Sequence, residues 1–180
     1  MSHPRNWLSV AGLIAVTVIA VGWATPSWAV EFPACPGCRT TSLLLSLAGN
    51  FQQPGDPCNP EGESVALAGE VHVVTQIVGQ VGVPPTGTFV TNVYLNMAGV
   101  QGTGQTSGDL YIGTGGGQNF RGVQYPVSPI SPSPLIPAIF TLEPTNGCAS
   151  VPLPVEFRAV FDSDGTLLPA STVTLGGIVP

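Results

Sequence analysis

The side chains best suited to chemistry in this sequence are few and lie far apart. Glu70 and His72 are two positions apart, so on a β-strand they point to the same face and could bind a metal ion or form an acid–base pair. A metal or catalytic site needs further partners, and the neighbouring sequence supplies none. We therefore expect His72 to be an ordinary side chain on the polar face of a strand.

A second candidate is the C-x-x-C motif Cys35-Pro36-Gly37-Cys38. Such motifs occur in thiol redox sites, and Arg39 could favour the thiolate form of a reduced pair. Haem attachment requires a histidine directly after the second cysteine, where Arg39 stands. A thioredoxin-like site requires a βαβ context, which the flanking residues do not provide. A structural disulfide is the favoured interpretation.

Two further segments contain ligand-like residues. Asp162-Ser163-Asp164-Gly165 is similar to the start of a calcium loop, but the carboxylate that completes such a loop is missing, so a hairpin turn is expected. The glycine-rich run at 99–108 lacks the lysine and the strand–turn–helix context of a phosphate-binding loop. No G-x-S-x-G motif is present, and nothing selects two acidic residues for glycoside hydrolysis.

We therefore predict a non-enzymatic protein with no catalytic residue, cofactor or metal ion. The weak site candidates are Glu70, His72, Asp162 and Asp164.

The four cysteines are Cys35, Cys38, Cys58 and Cys148, and all of them follow residue 29. An even number is typical of a disulfide-bonded exported protein. Four cysteines can pair in three ways, and the sequence alone does not choose among them. Local pairing would give Cys35–Cys38 and Cys58–Cys148, and the second bond would contribute about 4–5 kcal/mol because it closes a long loop.

The N-terminal residues are organised like a secretory signal peptide. His3 and Arg5 precede an uncharged apolar run at 8–24, and Ser27 and Ala29 supply the small residues of a cleavage site. The run of 17 residues is at the lower limit for spanning a bilayer, so an uncleaved anchor is the alternative. We expect cleavage of a signal peptide at 1–29, a secreted, periplasmic or cell-surface protein, and no membrane span thereafter.

Removal of residues 1–29 leaves 151 residues, which suits one domain. This part has no lysine, three arginines and ten acidic residues, so its formal charge is −7. Nucleic-acid binding requires basic residues that neutralise phosphates, so nucleic acid is excluded as an expected partner. Attraction to anionic lipid is disfavoured for the same reason. A protein or glycan remains a possible partner.

The elements that must position these residues are mainly β-strands. Residues 30–63 form a Cys/Pro-rich lead-in, in which 41–48 fit a short helix and a short buried strand almost equally well. From residue 64, apolar and polar side chains alternate with the period of a half-buried strand, and the clearest example is 155–161. Residues 115–137 are expected to be irregular, with prolines spaced for a polyproline II helix.

Six or seven short strands with Gly/Pro turns and little helix predict a mainly β fold after the signal helix. We expect a single antiparallel β-sandwich or barrel-like domain over residues 64–180.

Three segments resemble an uncharacterised group of secreted bacterial β-rich proteins. They are ALAGEVHVVT at 66–75, YLNMAGVQGTGQTSGDLYIGTG at 94–115 and FRAVFDSDGTLL at 157–168, and the G-x-G-Q-T-S-G stretch is the most distinctive. The resemblance implies secretion and a compact β domain, but no known activity, ligand or catalytic residue. The first hypothesis is a structural, adhesive or surface-assembly role. The alternatives are a small-ligand-binding β domain and an exported hydrolase.

Overall fold

The computed structural model describes residues 35–81, 88–97, 99–114, 118–126 and 135–176, so the predicted signal helix lies outside the described residues. Within these ranges the chain forms nine β-strands and no helix, and hence no helix of membrane-spanning length. The strands are β1 (Arg39–Gln53), β2 (Glu63–Val81), β3 (Thr88–Asn96), β4 (Gln101–Gly104), β5 (Leu110–Thr114), β6 (Gln118–Pro126), β7 (Leu135–Pro144), β8 (Val151–Arg158) and β9 (Thr172–Leu175).

All nine strands belong to one antiparallel sheet organised around β2. β1 pairs with one edge of β2 along its full length. On the other edge, the first part of β2 pairs with β4 and the second part with β3. From there the sheet continues to β6 on one side, and through β5, β7 and β8 to β9 on the other. The sheet is not closed, although Gly49 of β1 lies against Leu175 of β9. The predicted antiparallel β fold is confirmed.

The inward-facing side chains of these strands pack into one apolar core. The alternation predicted for 155–161 is confirmed, because Val155, Phe157, Ala159 and Phe161 are all buried. Each large apolar side chain that is fully buried contributes about 1.5–3 kcal/mol relative to an exposed one. The largest fully buried side chains are Tyr125, Phe140, Phe157, Leu47, Leu95 and Met97.

The lead-in at 30–63 contains β1, so residues 41–48 form part of a strand rather than a helix. Leu45 and Leu47 are buried in the core, whereas the side chain of Leu44 between them is 60% exposed. This alternation has the period of a strand. Hydrogen bonding to β2 therefore selects the strand over the helix for residues 41–48.

The expectation that residues 115–137 are irregular is wrong, because they include β6 and the start of β7. Pro154 on β8 lies opposite Ile139 on β7. The Ile139 carbonyl accepts a hydrogen bond from the Gln118 side chain, and the Pro154 carbonyl accepts one from the Gly176 N–H. Ile139 and Pro154 are therefore a non-hydrogen-bonded pair of the ladder, where a proline removes no bond between the strands.

The same reasoning applies to Pro137, which lies two residues before Ile139 on β7. The predicted polyproline II segment falls mostly on 127–134, outside the described residues.

The number of strands was underestimated at six or seven. β1, β6 and the glycine-rich β4 have no clear strand pattern of their own and are extended because they pair with neighbouring strands. The glycines of β4 are required there, since a Cβ at Gly102 would overlap the side chains of Val65 and Leu67.

Among the described residues, Tyr125 carries the buried side-chain oxygen that has no hydrogen-bond partner. Its ring packs 6.0 Å from Phe89 and 4.6 Å from Phe161 between centroids, and burial raises the pKa of Tyr125 far above its ordinary value. Tyr125→Phe keeps the ring and removes the unpaired hydroxyl. We therefore expect the free energy of unfolding in urea to stay constant or to rise by about 1 kcal/mol. A loss of about 1 kcal/mol or more would indicate that a buried water bonds the hydroxyl.

Candidate functional site

A polar cleft of about 180 Å³ lies at one end of the sheet, beside the Cys58–Cys148 disulfide. Three loops form it: residues 54–62 between β1 and β2, 105–109 between β4 and β5, and 145–150 between β7 and β8. Loops held at the end of a rigid sheet are a common place for recognition, which makes this polar cleft a candidate binding site.

Glu63, the first residue of β2, is a buried carboxylate at the base of the polar cleft. It accepts hydrogen bonds from the Ser107 hydroxyl at 2.8 Å, the Ser107 N–H at 3.1 Å, the Thr106 N–H at 3.2 Å and the Tyr111 hydroxyl at 2.9 Å. Burial alone would raise the pKa of Glu63, but these hydrogen bonds outweigh it and hold the pKa below the ordinary value. Glu63 is therefore ionised at neutral pH and holds the 105–109 loop in place.

Tyr111 connects Glu63 to the first loop. Its hydroxyl lies 2.5 Å from Gln53 Oε1 and 2.9 Å from Glu63 Oε1, and Gln53 Nε2 donates to Asp56 Oδ2 at 2.9 Å. Burial, the hydrogen bond to Glu63 and the charges of Glu63, Asp109 and Asp56 raise the pKa of Tyr111 to about 12. The hydroxyl therefore keeps its proton and acts as a donor.

The rim of the polar cleft is fixed by two side-chain caps and a covalent bond. Asp56 Oδ1 accepts the backbone N–H of Cys58 at 2.7 Å. Asn146 donates from Nδ2 to Asp109 Oδ2 at 2.7 Å, and its Oδ1 accepts the Cys148 N–H at 3.0 Å. Because the disulfide joins Cys58 to Cys148, the first and third loops are held in one arrangement.

The polar cleft can form hydrogen bonds with a ligand but offers it little positive charge. Its side chains are carboxylates, amides and hydroxyls, and none of the residues that line it is an arginine. Asp56, Glu63 and Asp109 would repel an anion. Within the described ranges, the side-chain amide of Asn59 and the side-chain hydroxyl of Thr106 form no hydrogen bond with the chain, so both are available to a ligand.

The sequence candidates Glu70 and His72 lie elsewhere, on the outer face of β2. His72 is opposite Leu44 on β1 and Asn96 on β3. Within the described part of the chain, no three side chains of His, Cys, Asp and Glu are grouped as metal ligands would be. The structure thus keeps these two residues together, and none of the other described acidic, cysteine or histidine side chains joins them in a metal-binding group.

Asp162 and Asp164 lie in the turn that follows β8, and the predicted turn is present. Asp162 Oδ1 accepts the N–H groups of Asp164 at 2.9 Å and Thr166 at 2.7 Å. Arg39 at the start of β1 donates to the Asp164 carbonyl at 3.1 Å and to the Thr166 hydroxyl at 2.9 Å. These contacts stabilise the hairpin and attach it to β1.

The cysteines form Cys35–Cys38 and Cys58–Cys148, which is the local pairing among the three that were possible. Two disulfides are typical of an oxidising compartment outside the cytoplasm.

Sequence reasoning did not single out Glu63, Tyr111 or Gln53. A usable signal was present for Glu63, because positions 63, 65 and 67 share one face of β2 and the other two are Val65 and Leu67. A carboxylate on an otherwise apolar face is buried only if donors surround it, and such a residue is a candidate for a structural or functional network.

No protein-family model, no curated protein and no solved structure matches this chain.

Proposed function

We propose that the chain is an exported, non-enzymatic β domain with an adhesive role, whose polar cleft binds a neutral, hydroxyl-rich ligand such as a glycan. The observation that carries the proposal is the fixed geometry of the polar cleft. Glu63 anchors the 105–109 loop, and Cys58–Cys148 ties the other two loops together. A site ordered before binding loses less conformational entropy when its ligand arrives.

Export is supported by two independent features. Residues 1–29 have the order of a signal peptide, with a positive start, an apolar middle and small residues before the cleavage position. The two disulfides require an oxidising environment for their formation.

The scaffold is inferred to be sandwich-like or barrel-like, because opposite parts of the sheet meet in one core. Phe89 of β3 packs edge-to-face on Phe161, which follows β8, with ring centroids 5.0 Å apart. Such packing gives the loops at the end of the sheet a rigid support.

The chemistry of the polar cleft favours hydroxyl groups as ligand atoms. A hydroxyl both donates and accepts, so it can donate to Asp56 or Asp109 and accept from Asn59, Asn146 or Thr106. The cleft volume of about 180 Å³ is close to that of a cavity of about 150 Å³ that binds a single six-membered ring. It therefore fits one terminal sugar unit rather than an extended chain.

Asn59→Ala tests this proposal, because it removes a side chain that no described hydrogen bond of the fold uses. On an array of neutral glycans, with affinities then measured by calorimetry, we expect about a tenfold weaker affinity for the retained glycan, the equivalent of one hydrogen bond. The matched control is Asn119→Ala, an exposed asparagine on β6 outside the polar cleft. Its affinity should equal that of the wild type.

Either of two results would overturn the proposal. One is a wild-type protein that retains no glycan at millimolar concentration. The other is equal weakening by Asn59→Ala and Asn119→Ala.

A further inference from the structure

The Cys35–Cys38 disulfide lies in a turn immediately before β1. Pro36 and Gly37 are the central residues of this turn, the Cys38 N–H donates to the Cys35 carbonyl at 3.0 Å, and Gly37 has φ of 84°. Proline at the second position and a positive-φ glycine at the third are characteristic of a type II turn. The backbone therefore holds the two cysteines close to each other by its own geometry.

The sheet does not depend on this bond. Neither cysteine belongs to the apolar core, and both are partly exposed to solvent. Pairing of β1 with β2 begins at the next residue, where Arg39 lies opposite Ile77. The Arg39 guanidinium binds the hairpin at Asp164 and Thr166, so the start of β1 has its own attachment.

We propose that Cys35–Cys38 is a reversible dithiol–disulfide exchange site that reacts with thiols and disulfides of other molecules, whereas Cys58–Cys148 is structural. In the reductive direction, a thiolate of a dithiol partner attacks one sulfur of the pair. The bond between Cys35 and Cys38 breaks, and the displaced cysteine leaves as a thiolate that takes up a proton. The second thiol of the partner then attacks the mixed disulfide, so the partner becomes a disulfide and both cysteines become thiols.

The two disulfides differ in what their opening would change. Cys58 and Cys148 are 90 positions apart and hold two loops of the polar cleft together, whereas Cys35 and Cys38 are three positions apart in one turn. Opening Cys58–Cys148 releases a constraint between two distant parts of the chain. Opening Cys35–Cys38 frees only this short turn to relax from the positive φ of Gly37, and the bond can form again because the two thiols stay three positions apart.

The test uses the oxidised mature protein, equilibrated in glutathione buffers of increasing reducing strength and then alkylated for peptide mass mapping. We expect Cys35 and Cys38 to become alkylated and to reoxidise reversibly, while the far-ultraviolet spectrum stays that of a β protein. The melting midpoint should change by less than half the change caused by Cys58→Ala/Cys148→Ala. Reduction of Cys35–Cys38 only after the sheet unfolds, or failure to reoxidise, would overturn the proposal.

Gly37→Ala provides a second test that does not remove a cysteine. A methyl group at Gly37 meets no atom within 4 Å, so the substitution acts only through the positive φ. Because an L-residue is disfavoured there, we expect the dithiol–disulfide equilibrium to shift about five- to thirtyfold towards the dithiol. The matched control is Gly122→Ala, with φ of 67° and equally open space on β6. An unchanged equilibrium in Gly37→Ala, or an equal shift in Gly122→Ala, would show that the turn does not govern the pair.

Discussion

Joint replacement of Cys58 and Cys148 by alanine is expected to lower the free energy of unfolding by about 4–5 kcal/mol. The disulfide spans 90 residues, so its removal returns the conformational freedom of a long closed loop to the unfolded chain. Both cysteines are replaced together so that no free thiol remains. The measurement is equilibrium unfolding in urea at neutral pH, with the oxidised wild type as reference.

The matched control is Cys35→Ala/Cys38→Ala, which removes a bond between residues only three positions apart. We expect its loss of stability to be less than half that of the long-range pair, because chain-entropy stabilisation grows with loop length. Equal losses in the two double variants would contradict the division between a structural disulfide and an exchange site.

Glu63→Gln is expected to lower the free energy of unfolding by about 2–3 kcal/mol. The amide has nearly the shape of the carboxylate, but only one of its two ends is an acceptor. Its NH2 group must therefore face either the Ser107 and Thr106 N–H groups, which bond Oε2, or the Tyr111 hydroxyl, which bonds Oε1. Glu70→Gln on the same strand is the control, since Glu70 is exposed and its change should be within about 0.5 kcal/mol. Similar losses in the two variants would show that the network does not stabilise the fold.

The effect of Glu63 should depend on pH in a defined direction. Because its pKa is lowered in the folded protein, its stabilisation is fully present above the ordinary carboxyl pKa of 4.5 and is lost as pH falls through the lowered value. The difference in unfolding free energy between wild type and Glu63→Gln should therefore be constant near neutrality and shrink in acid. Urea unfolding from pH 7 down to pH 3 measures this, and a difference that does not change with pH would contradict it.

The sequence was most informative where one strand buries one face against a large core. In residues 65–73 of β2 and in residues 155–161, the inward side chains are apolar, so the period of two survives whichever strands lie alongside. It was least informative where strand formation depends on partners. β4 is rich in glycine and becomes a strand because it fits closely over Val65 and Leu67. Pro137 and Pro154 are accepted because their places in the ladder between β7 and β8 need no N–H.

The same distinction explains why the polar cleft was not anticipated. The candidates Glu70 and His72 follow from residue type and spacing alone. Glu63 and Tyr111 acquire their roles from contacts with residues about forty to sixty positions away, such as Ser107 and Gln53. The local pairing of the cysteines was one of three open possibilities, and only the fold brings Cys58 next to Cys148.

β2 is hydrogen-bonded to β1 on one edge and to both β3 and β4 on the other. Both halves of the sheet therefore share β2, and neither half is complete without it. Detaching the β3–β6 pair, or the strands from β4 to β9, strips inter-strand bonds from the same central segment. The sheet therefore has no boundary between two groups of strands at which partial unfolding would stop. We expect the sheet to unfold by heat or denaturant in a single cooperative step, without a populated intermediate that exposes apolar surface and aggregates.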